Sequence, residues 1–250
     1  MHSKPVALVT GANKGIGLQI AKELALKGFK VLVGARNITR GEVAAKSVGA
    51  DAEAVELDVT EQASIEAVVR QIEASLGRLD VLVNNAGISR PIKPGTPIEE
   101  MRDGDKVTRV SVDDMRFVFE TNVFGVVAVT QAMLPLLRKA PAGRIVNLSS
   151  SGASLTLKNN PAEYSRSYVG VYQTSKAALN AVTQAFAIEL EGTNIKVNAV
   201  CPGFTATDMS NHAAGAGSVE DAAREPVRLA LLDADGPTGS FSNANGPLPW

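Results

Sequence analysis

Val6-Ala7-Leu8-Val9 runs straight into Thr10-Gly11-Ala12-Asn13-Lys14-Gly15-Ile16-Gly17. The first four residues form an apolar run short enough for a buried strand. A helical pattern follows, with Ile16, Ile20, Leu24 and Leu26 as its apolar residues, and it stops at Gly28. A glycine-rich turn therefore joins a strand to a helix. Glycines let a backbone approach a pyrophosphate closely, and a helix N-terminus offers free N–H groups and the positive end of a dipole. The segment predicts a dinucleotide cradle drawn from Gly11, Asn13, Lys14, Gly15, Ile16 and Gly17. Its spacing is Gly-x-x-x-Gly-x-Gly rather than Gly-x-Gly-x-x-Gly. A tight turn that binds nothing is the plainer alternative for this segment taken alone.

Beyond it the chain alternates. Strands are expected at Val6-Val9, Lys30-Val33, Ala54-Leu57, Val81-Val83, Arg144-Leu148, Lys196-Val200 and Ser240-Ser242. Helical patterns lie between them at Gly15-Lys27, Thr39-Val48, Ser64-Leu76, Val112-Arg138 (with a break near Phe124-Gly125), Tyr168-Glu191 and Val219-Leu232. Such alternation argues for an α/β fold, a doubly wound parallel sheet with helices on both faces. A chain of 250 residues fits one such domain, spanning 1–250. Ile88-Val110 and Ser151-Ser167 fit no regular element. Both follow strands, so both should overhang the carboxyl edge of the sheet, where ligands bind in such folds. Surface loops without a role are the plainer reading.

Composition narrows the function classes. The net charge is −1, so no basic footprint for nucleic acid appears. No apolar stretch is expected to be long enough to span a bilayer. Residues 1–5 are too short and polar for a secretion signal. Cys201 is the single cysteine, which rules out an internal disulfide, and a cytoplasmic setting is expected. His2 and His212 are the only histidines. No multi-histidine metal site is expected, and a Ser-His-Asp triad would rest on His212.

Tyr172 and Lys176 stand four apart, which stacks phenol and ammonium on one helix face. A free phenol titrates at about 10. A neighbouring ammonium favours phenolate, and a tuned phenol can act as general acid or base. A Tyr packed under a Lys stem is the bland reading. The second strand carries the cofactor choice. An acid about 20 residues after the glycine turn would hold the ribose hydroxyls of NAD. Ala35-Arg36-Asn37 stands there instead, with no acid before Glu42. Arg36 can pair with a 2′-phosphate, and Lys14 and Arg40 could add charge. The expectation is NADPH/NADP+, against a reading of these cations as solvated surface charge.

Taken in order, Thr10-Gly11-x-x-x-Gly15-x-Gly17, Asn84-Asn85-Ala86-Gly87, Asn122, Ser150, Tyr172-x-x-x-Lys176 and Pro202-Gly203 resemble the short-chain dehydrogenase/reductase family over nearly the whole chain. Within it the chain is most similar to the NADPH-dependent carbonyl reductase branch and its plant relatives. Ala35-Arg36-Asn37-Ile38-Thr39-Arg40-Gly41, Val200-Cys201-Pro202-Gly203-Phe204, Pro226-Val227-Arg228-Leu229-Ala230-Leu231-Leu232 and the closing Trp250 carry that likeness.

The resemblance implies a single-domain Rossmann-type fold and a set of roles. Tyr172 would give the proton to a carbonyl oxygen, and Lys176 would lower the phenol pKa and hold the nicotinamide ribose. Ser150, second after Asn147-Leu148, would orient the carbonyl. Asn122 would hold a water linking Lys176 to solvent, or serve as a buried structural amide. Asn85, Ala86 and Gly87 would border the adenosine ribose, unless their use is sheet support. Asp58, with Val59, would meet the adenine edge, although Asp58, Thr60 or Ser64 could instead cap the next helix. Pro202, Gly203, Thr205 and Thr207 would touch the nicotinamide amide or the diphosphate. Tyr164 and Tyr168 are decoys with no Lys four residues on. Cys201 reads as a small buried filler sooner than a reactive thiol.

The implied activity is hydride transfer from NADPH to a ketone or aldehyde, reversible as an alcohol dehydrogenase. An NAD-linked alcohol or polyol dehydrogenase and a non-enzymatic dinucleotide sensor are the competing readings. The substrate pocket is expected from 88–110, 151–171 and 204–218. The stretch from Ser151 to Val171 is intermediate between short members and the monomer-associated insertion of carbonyl reductases. Monomer and homo-oligomer therefore both stay open.

Overall fold

The computed structural model describes residues 4–89, 100, 103–162 and 170–250. The first half alternates β1 (Val6–Val9), α1 (Gly15–Leu26), β2 (Lys30–Ala35), α2 (Ile38–Val48), β3 (Ala52–Glu56), α3 (Gln62–Ser75) and β4 (Val81–Asn84). The second half carries α4 (Val112–Phe119), α5 (Gly125–Leu137), β5 (Gly143–Leu148), α6 (Leu155–Lys158), α7 (Val171–Glu189), β6 (Ile195–Val200), α8 (Val219–Ala230), β7 (Phe241–Asn243) and β8 (Gly246–Pro247).

The strand order is β3-β2-β1-β4-β5-β6-β7-β8. All neighbours pair in parallel except β7 with β8. The order reverses at β1, between β2 and β4, which places a crevice at the carboxyl ends of those strands.

The strand pleat sends alternate residues to opposite faces. Val6 and Leu8 join Leu32, Leu82, Ile145 and Val197 on one face, under Ile72 of α3, Met133 of α5 and Phe186 of α7. Ala7 and Val9 join Val31, Val33, Val83 and Val200 on the other, under Ile20 and Leu24 of α1, Ala44 of α2 and Val227 of α8. Each fully buried aliphatic side chain contributes about 1.5–3 kcal/mol. These two faces hold the sheet as the middle of three layers.

Several expectations are corrected in detail. β3 begins and ends earlier than the pattern suggests, because the Asp51 carbonyl already accepts from Val31 N–H. The helical run from Val112 is widened rather than broken. Glu120–Phe124 form a π-turn, with Gly125 N–H bonded to the Glu120 carbonyl. A Cβ on Gly125 would lie 2.9 Å from Val59 Cγ2, so the residue there must be small. The segment Ser151-Ser167 is not wholly irregular: it holds a 3₁₀ turn at Ser151–Ala153 and then α6. The run Val112–Leu137 is also, contrary to expectation, long and apolar enough by length and mean hydropathy (1.5) to cross a bilayer. Its apolar residues Val129, Met133, Leu136 and Leu137 are those that pack onto the sheet.

Candidate active site

Three features converge at the carboxyl edge of β1, β4 and β5. The first is the glycine turn. Gly11 and Gly15 hold φ of 62° and 58°, a left-handed conformation that suits glycine. No side chain caps α1, so its first N–H groups are left for an anion. Thr10 is buried, and its Oγ1 accepts from the N–H groups of Asn85 (3.0 Å) and Ala86 (2.9 Å). Asn85 Nδ2 returns two bonds, to the carbonyls of Thr10 (2.8 Å) and Gly11 (3.0 Å). The turn and the Asn84–Gly87 segment are thus stapled together, with Gly17 beneath. This geometry fits a dinucleotide diphosphate.

Ala12 N–H bonds the Gly34 carbonyl at 2.9 Å, which brings the end of β2 beside the turn. Arg36 and Arg40 follow there, both exposed. Neither has an ion-pair partner among the described residues. Asn37 caps α2 by accepting from Arg40 N–H. Lys14 is differently placed, since its ammonium pairs with Asp208. That bond, then the one from His212 (3.1 Å), holds the Asp208 carboxyl below its ordinary value. A pair this exposed is worth at most about 1 kcal/mol. It ties the 203–217 loop locally to the glycine turn more than it stabilises the fold. A Cβ on Gly15 would touch Thr207 Cγ2 at 3.5 Å, which marks the same closeness.

Asp58 accepts from Thr60 through both N–H (3.0 Å) and hydroxyl (2.7 Å). The helix cap is Glu61, so none of Asp58, Thr60 and Ser64 holds that position. The Val59 side chain lies in the core, which leaves only its backbone for a cofactor. Gly203 has φ of 83°, and Thr205 Oγ1 donates to the Gly203 carbonyl at 3.2 Å. Pro202 stands half-buried just before this turn.

The second feature is the Tyr172–Lys176 pair on α7. Lys176 is buried, and its Nζ lies 5.6 Å from the Tyr172 ring centroid and donates to the Leu148 carbonyl at 2.8 Å. A Cβ on Gly87 would come within 3.3 Å of that Nζ and 3.4 Å of Asn122 Oδ1. Glycine is what lets the ammonium, the amide and the Asn84–Gly87 segment meet. Burial pushes the Lys176 amine down to about 8. Burial pushes the Tyr172 phenol up, and the nearby Cys201 thiol adds to the rise. The expectation that Lys176 lowers the phenol is therefore not met here: burial sets the direction of the shift. A phenol held above its ordinary value keeps its proton at neutral pH.

A lysine held below its ordinary value of 10.5 favours the neutral amine in the fold. The unfolded chain then binds more protons between the two values, so this residue adds stability as pH rises from about 8 towards 10.5. Lys176→Met is expected to flatten that rise. Urea unfolding of both proteins at about pH 8 and about pH 9.5 measures it. Equal changes in the two proteins would contradict the assignment.

The third feature is Asn122 in the π-turn, fully buried. Such turns recur inside α-helices at functional sites. Asn122 Oδ1 accepts from Ile88 N–H (2.8 Å), and its Nδ2 donates to the Ile88 carbonyl (2.8 Å) and to Ser175 Oγ (3.0 Å). Both amide hydrogens are used to position Ile88 and α7, and Oδ1 keeps a second acceptor position.

Ser150 follows the end of β5 and opens the 3₁₀ turn, its Oγ accepting from Gly152 N–H at 3.3 Å. A Cβ on Gly152 would strike Gln173 Oε1 at 2.4 Å, so this turn lies directly against the residue after Tyr172. The Leu148 carbonyl, two residues before Ser150, is the one that Lys176 holds. Ser149 is turned elsewhere, donating to Asn180 at 2.6 Å. The segment before the site also reaches α7: Asp105 accepts from Val171 N–H at 3.1 Å. Tyr164 and Tyr168 lie outside the described residues. Sequence reasoning missed Thr10 as the staple, Ser175 as the partner of Asn122 and Asp208 as the partner of Lys14. Only Thr10 had a signal, its place beside Gly11.

A family model described as short chain dehydrogenase matches residues 5–216. The chain is 33% identical to (-)-isopiperitenone reductase of Mentha piperita, over 94% of this chain and 95% of that one. It is 33% identical to carbonyl reductase (NADPH) 1 of Mus musculus, over 99% of both chains. It superposes with a TM-score of 0.80 on 3-ketoacyl-(acyl-carrier-protein) reductase from Brucella melitensis complexed with NADH, at 27% identity and with 96% of each chain covered.

Proposed function

The chain belongs to the short-chain dehydrogenase/reductase family of oxidoreductases, and from that premise we propose that it reduces the carbonyl of a ketone or aldehyde at the expense of NADPH. The observation that carries the reading is the Tyr172–Lys176 pair, with its lysine buried, set beside the turn that carries Ser150 and near the uncapped glycine turn. NADPH, when bound, would supply the hydride; the chain's own residues supply position and proton.

Gly11, Gly15 and the first N–H groups of α1 would hold the diphosphate. Asn85, Ala86 and Gly87 would border the adenosine ribose, and Asp58 the adenine edge. Pro202, Gly203, Thr205 and Thr207 would meet the nicotinamide end. Ser150 Oγ donates a hydrogen bond to the substrate oxygen and orients it. Negative charge grows on that oxygen as the carbonyl is reduced, and a donor fixed there stabilises the change. Tyr172 then gives its proton to the same oxygen. A phenol that holds its proton suits the reductive direction. The buried Lys176 amine, close to its own titration point near neutrality, is suited to pass a proton back to Tyr172. The described parts of 88–110, 151–171 and 204–218 are assigned as walls of the substrate pocket; 90–99, 101–102 and 163–169 lie outside the described residues. The contact of Asp105 with Val171 supports this.

The cofactor choice rests on Arg36 and Arg40. Two exposed guanidinium groups without ion-pair partners among the described residues, at the end of β2, suit a 2′-phosphate. The relatives' names carry both NADPH and NADH, so these residues decide the proposal. Arg36→Asp is expected to raise the dissociation constant for NADPH at least about tenfold, a loss of about 1.4 kcal/mol. NADH binding should change little. Titration of nicotinamide fluorescence with both cofactors tests this, and an unchanged ratio of the two constants would remove the phosphate site.

A further inference from the structure

We propose that Trp250 is a positioning residue for Ser150, acting through a clamp between the β7–β8 hairpin and the turn after β5. The proposal rests on the reading of Ser150 as the group that holds the substrate carbonyl. The turn that carries Ser150 has little stability of its own. It consists of a 3₁₀ turn at Ser151–Ala153 and the four-residue α6. Helices this short do not persist without tertiary support.

That support comes from the far end of the chain. The main-chain oxygen of Trp250 accepts from Thr156 N–H at 2.9 Å and from Ser154 Oγ at 3.2 Å. Ser154 is fully buried. The same Oγ accepts from Leu157 N–H at 3.0 Å and so caps α6. Ser154 N–H donates to the Ser151 carbonyl at 3.1 Å, and Ala153 N–H to the Ser150 carbonyl at 2.8 Å. A continuous set of bonds therefore runs from Trp250 to Ser150.

The other end of the clamp is fixed. The Trp250 ring stacks on Phe241, with centroids 5.4 Å apart and an interplanar angle of 23°. Phe241 is 2% exposed, lies on β7 and packs with Ala199 of β6 and with Cys201 just beyond it. The Leu248 N–H bond to the Phe241 carbonyl (2.8 Å) holds the hairpin closed beside it. The stack sets where the Trp250 main-chain oxygen points, and that oxygen sets where the Ser154 segment lies. A plain core filler would need the ring contact but not the two hydrogen bonds into the Ser150 turn.

Trp250→Ala removes the stack, Ser154→Ala removes one bond of the clamp, and Trp250→Phe keeps an aromatic ring over Phe241. Three readouts are needed: kcat and KM on a carbonyl substrate, the NADPH dissociation constant, and hydrogen exchange of residues 150–158. Trp250→Ala and Ser154→Ala should each lower kcat about tenfold through misplacement of Ser150. Their NADPH constants should stay unchanged, their exchange at 150–158 should accelerate, and Trp250→Phe should recover most of the rate. Unchanged exchange in that segment would overturn the proposal, as would equal losses of kcat and NADPH affinity. Accelerated exchange with a parent protein that reduces no carbonyl would leave the clamp standing and overturn the reductase reading instead.

Discussion

Tyr172→Phe is expected to lower carbonyl reduction by about 10²–10⁴-fold, the usual contribution of a positioned proton donor. The change removes one oxygen and leaves the ring. Lys176 keeps its bond to the Leu148 carbonyl, and the glycine turn is untouched. NADPH should therefore bind as tightly as before, and the melting temperature should hold. The last point follows from size: the ring that packs on α7 is unchanged, and only the hydroxyl of a partly exposed residue is lost. Steady-state rates and a fluorescence titration of the same preparation separate chemistry from binding. Full activity in the variant would place the proton donor elsewhere.

Gly17→Ala should damage the fold and the cofactor site together. A Cβ at this position would lie 2.3 Å from Asn85 Nδ2 and 2.8 Å from the Gly11 carbonyl oxygen. Asn85 cannot simply swing away, because its amide donates to the carbonyls of Thr10 and Gly11. Either α1 moves off the sheet or the staple opens. Overpacking of this kind costs about 1–3 kcal/mol. For a chain of this size that is a fall of several degrees in melting temperature. Dinucleotide binding should weaken with it, since the displaced backbone is the cradle itself. Gly217→Ala is the internal control, because a Cβ there meets only the Phe204 carbonyl at an ordinary 3.6 Å. Calorimetry and NADPH titration of both variants check the contrast; equal behaviour would mean the close approach at Gly17 is not needed.

What could be read from the sequence was whatever local pattern dictates. β1 falls on Val6–Val9 because four apolar residues precede a glycine turn, and α1 starts at Gly15 for the same reason. The parallel, doubly wound sheet followed from alternation alone. The short pairing of Gly246–Pro247 with β7 left no readable period. The π-turn was taken for a break, because one extra residue in a helix disturbs its periodicity without an obvious marker. α6 was hidden in a Ser-rich stretch, since its four residues show no helical period and Trp250 adds support to the Ser154 cap.

The same division holds at the site. Tyr172, Lys176, Ser150 and Asn122 were named by motif, and the structure brings them into one neighbourhood around Leu148, Gly87 and Gln173. The sign of the phenol shift was not legible, because spacing shows the cation but not the burial that sets the shift. Nor was the pairing of Lys14 with Asp208, which joins residues from opposite ends of the chain. Only the folded path of the 203–217 loop creates it.

The decisive experiment follows NADPH consumption against aldehydes, aryl ketones, cyclic ketones, keto esters and diketones, with NADH run in parallel. NADPH-dependent carbonyl reduction requires rapid oxidation of NADPH with at least one class of carbonyl, formation of the matching alcohol, and little turnover with NADH. No turnover of any carbonyl by a protein that still binds NADPH tightly would contradict it.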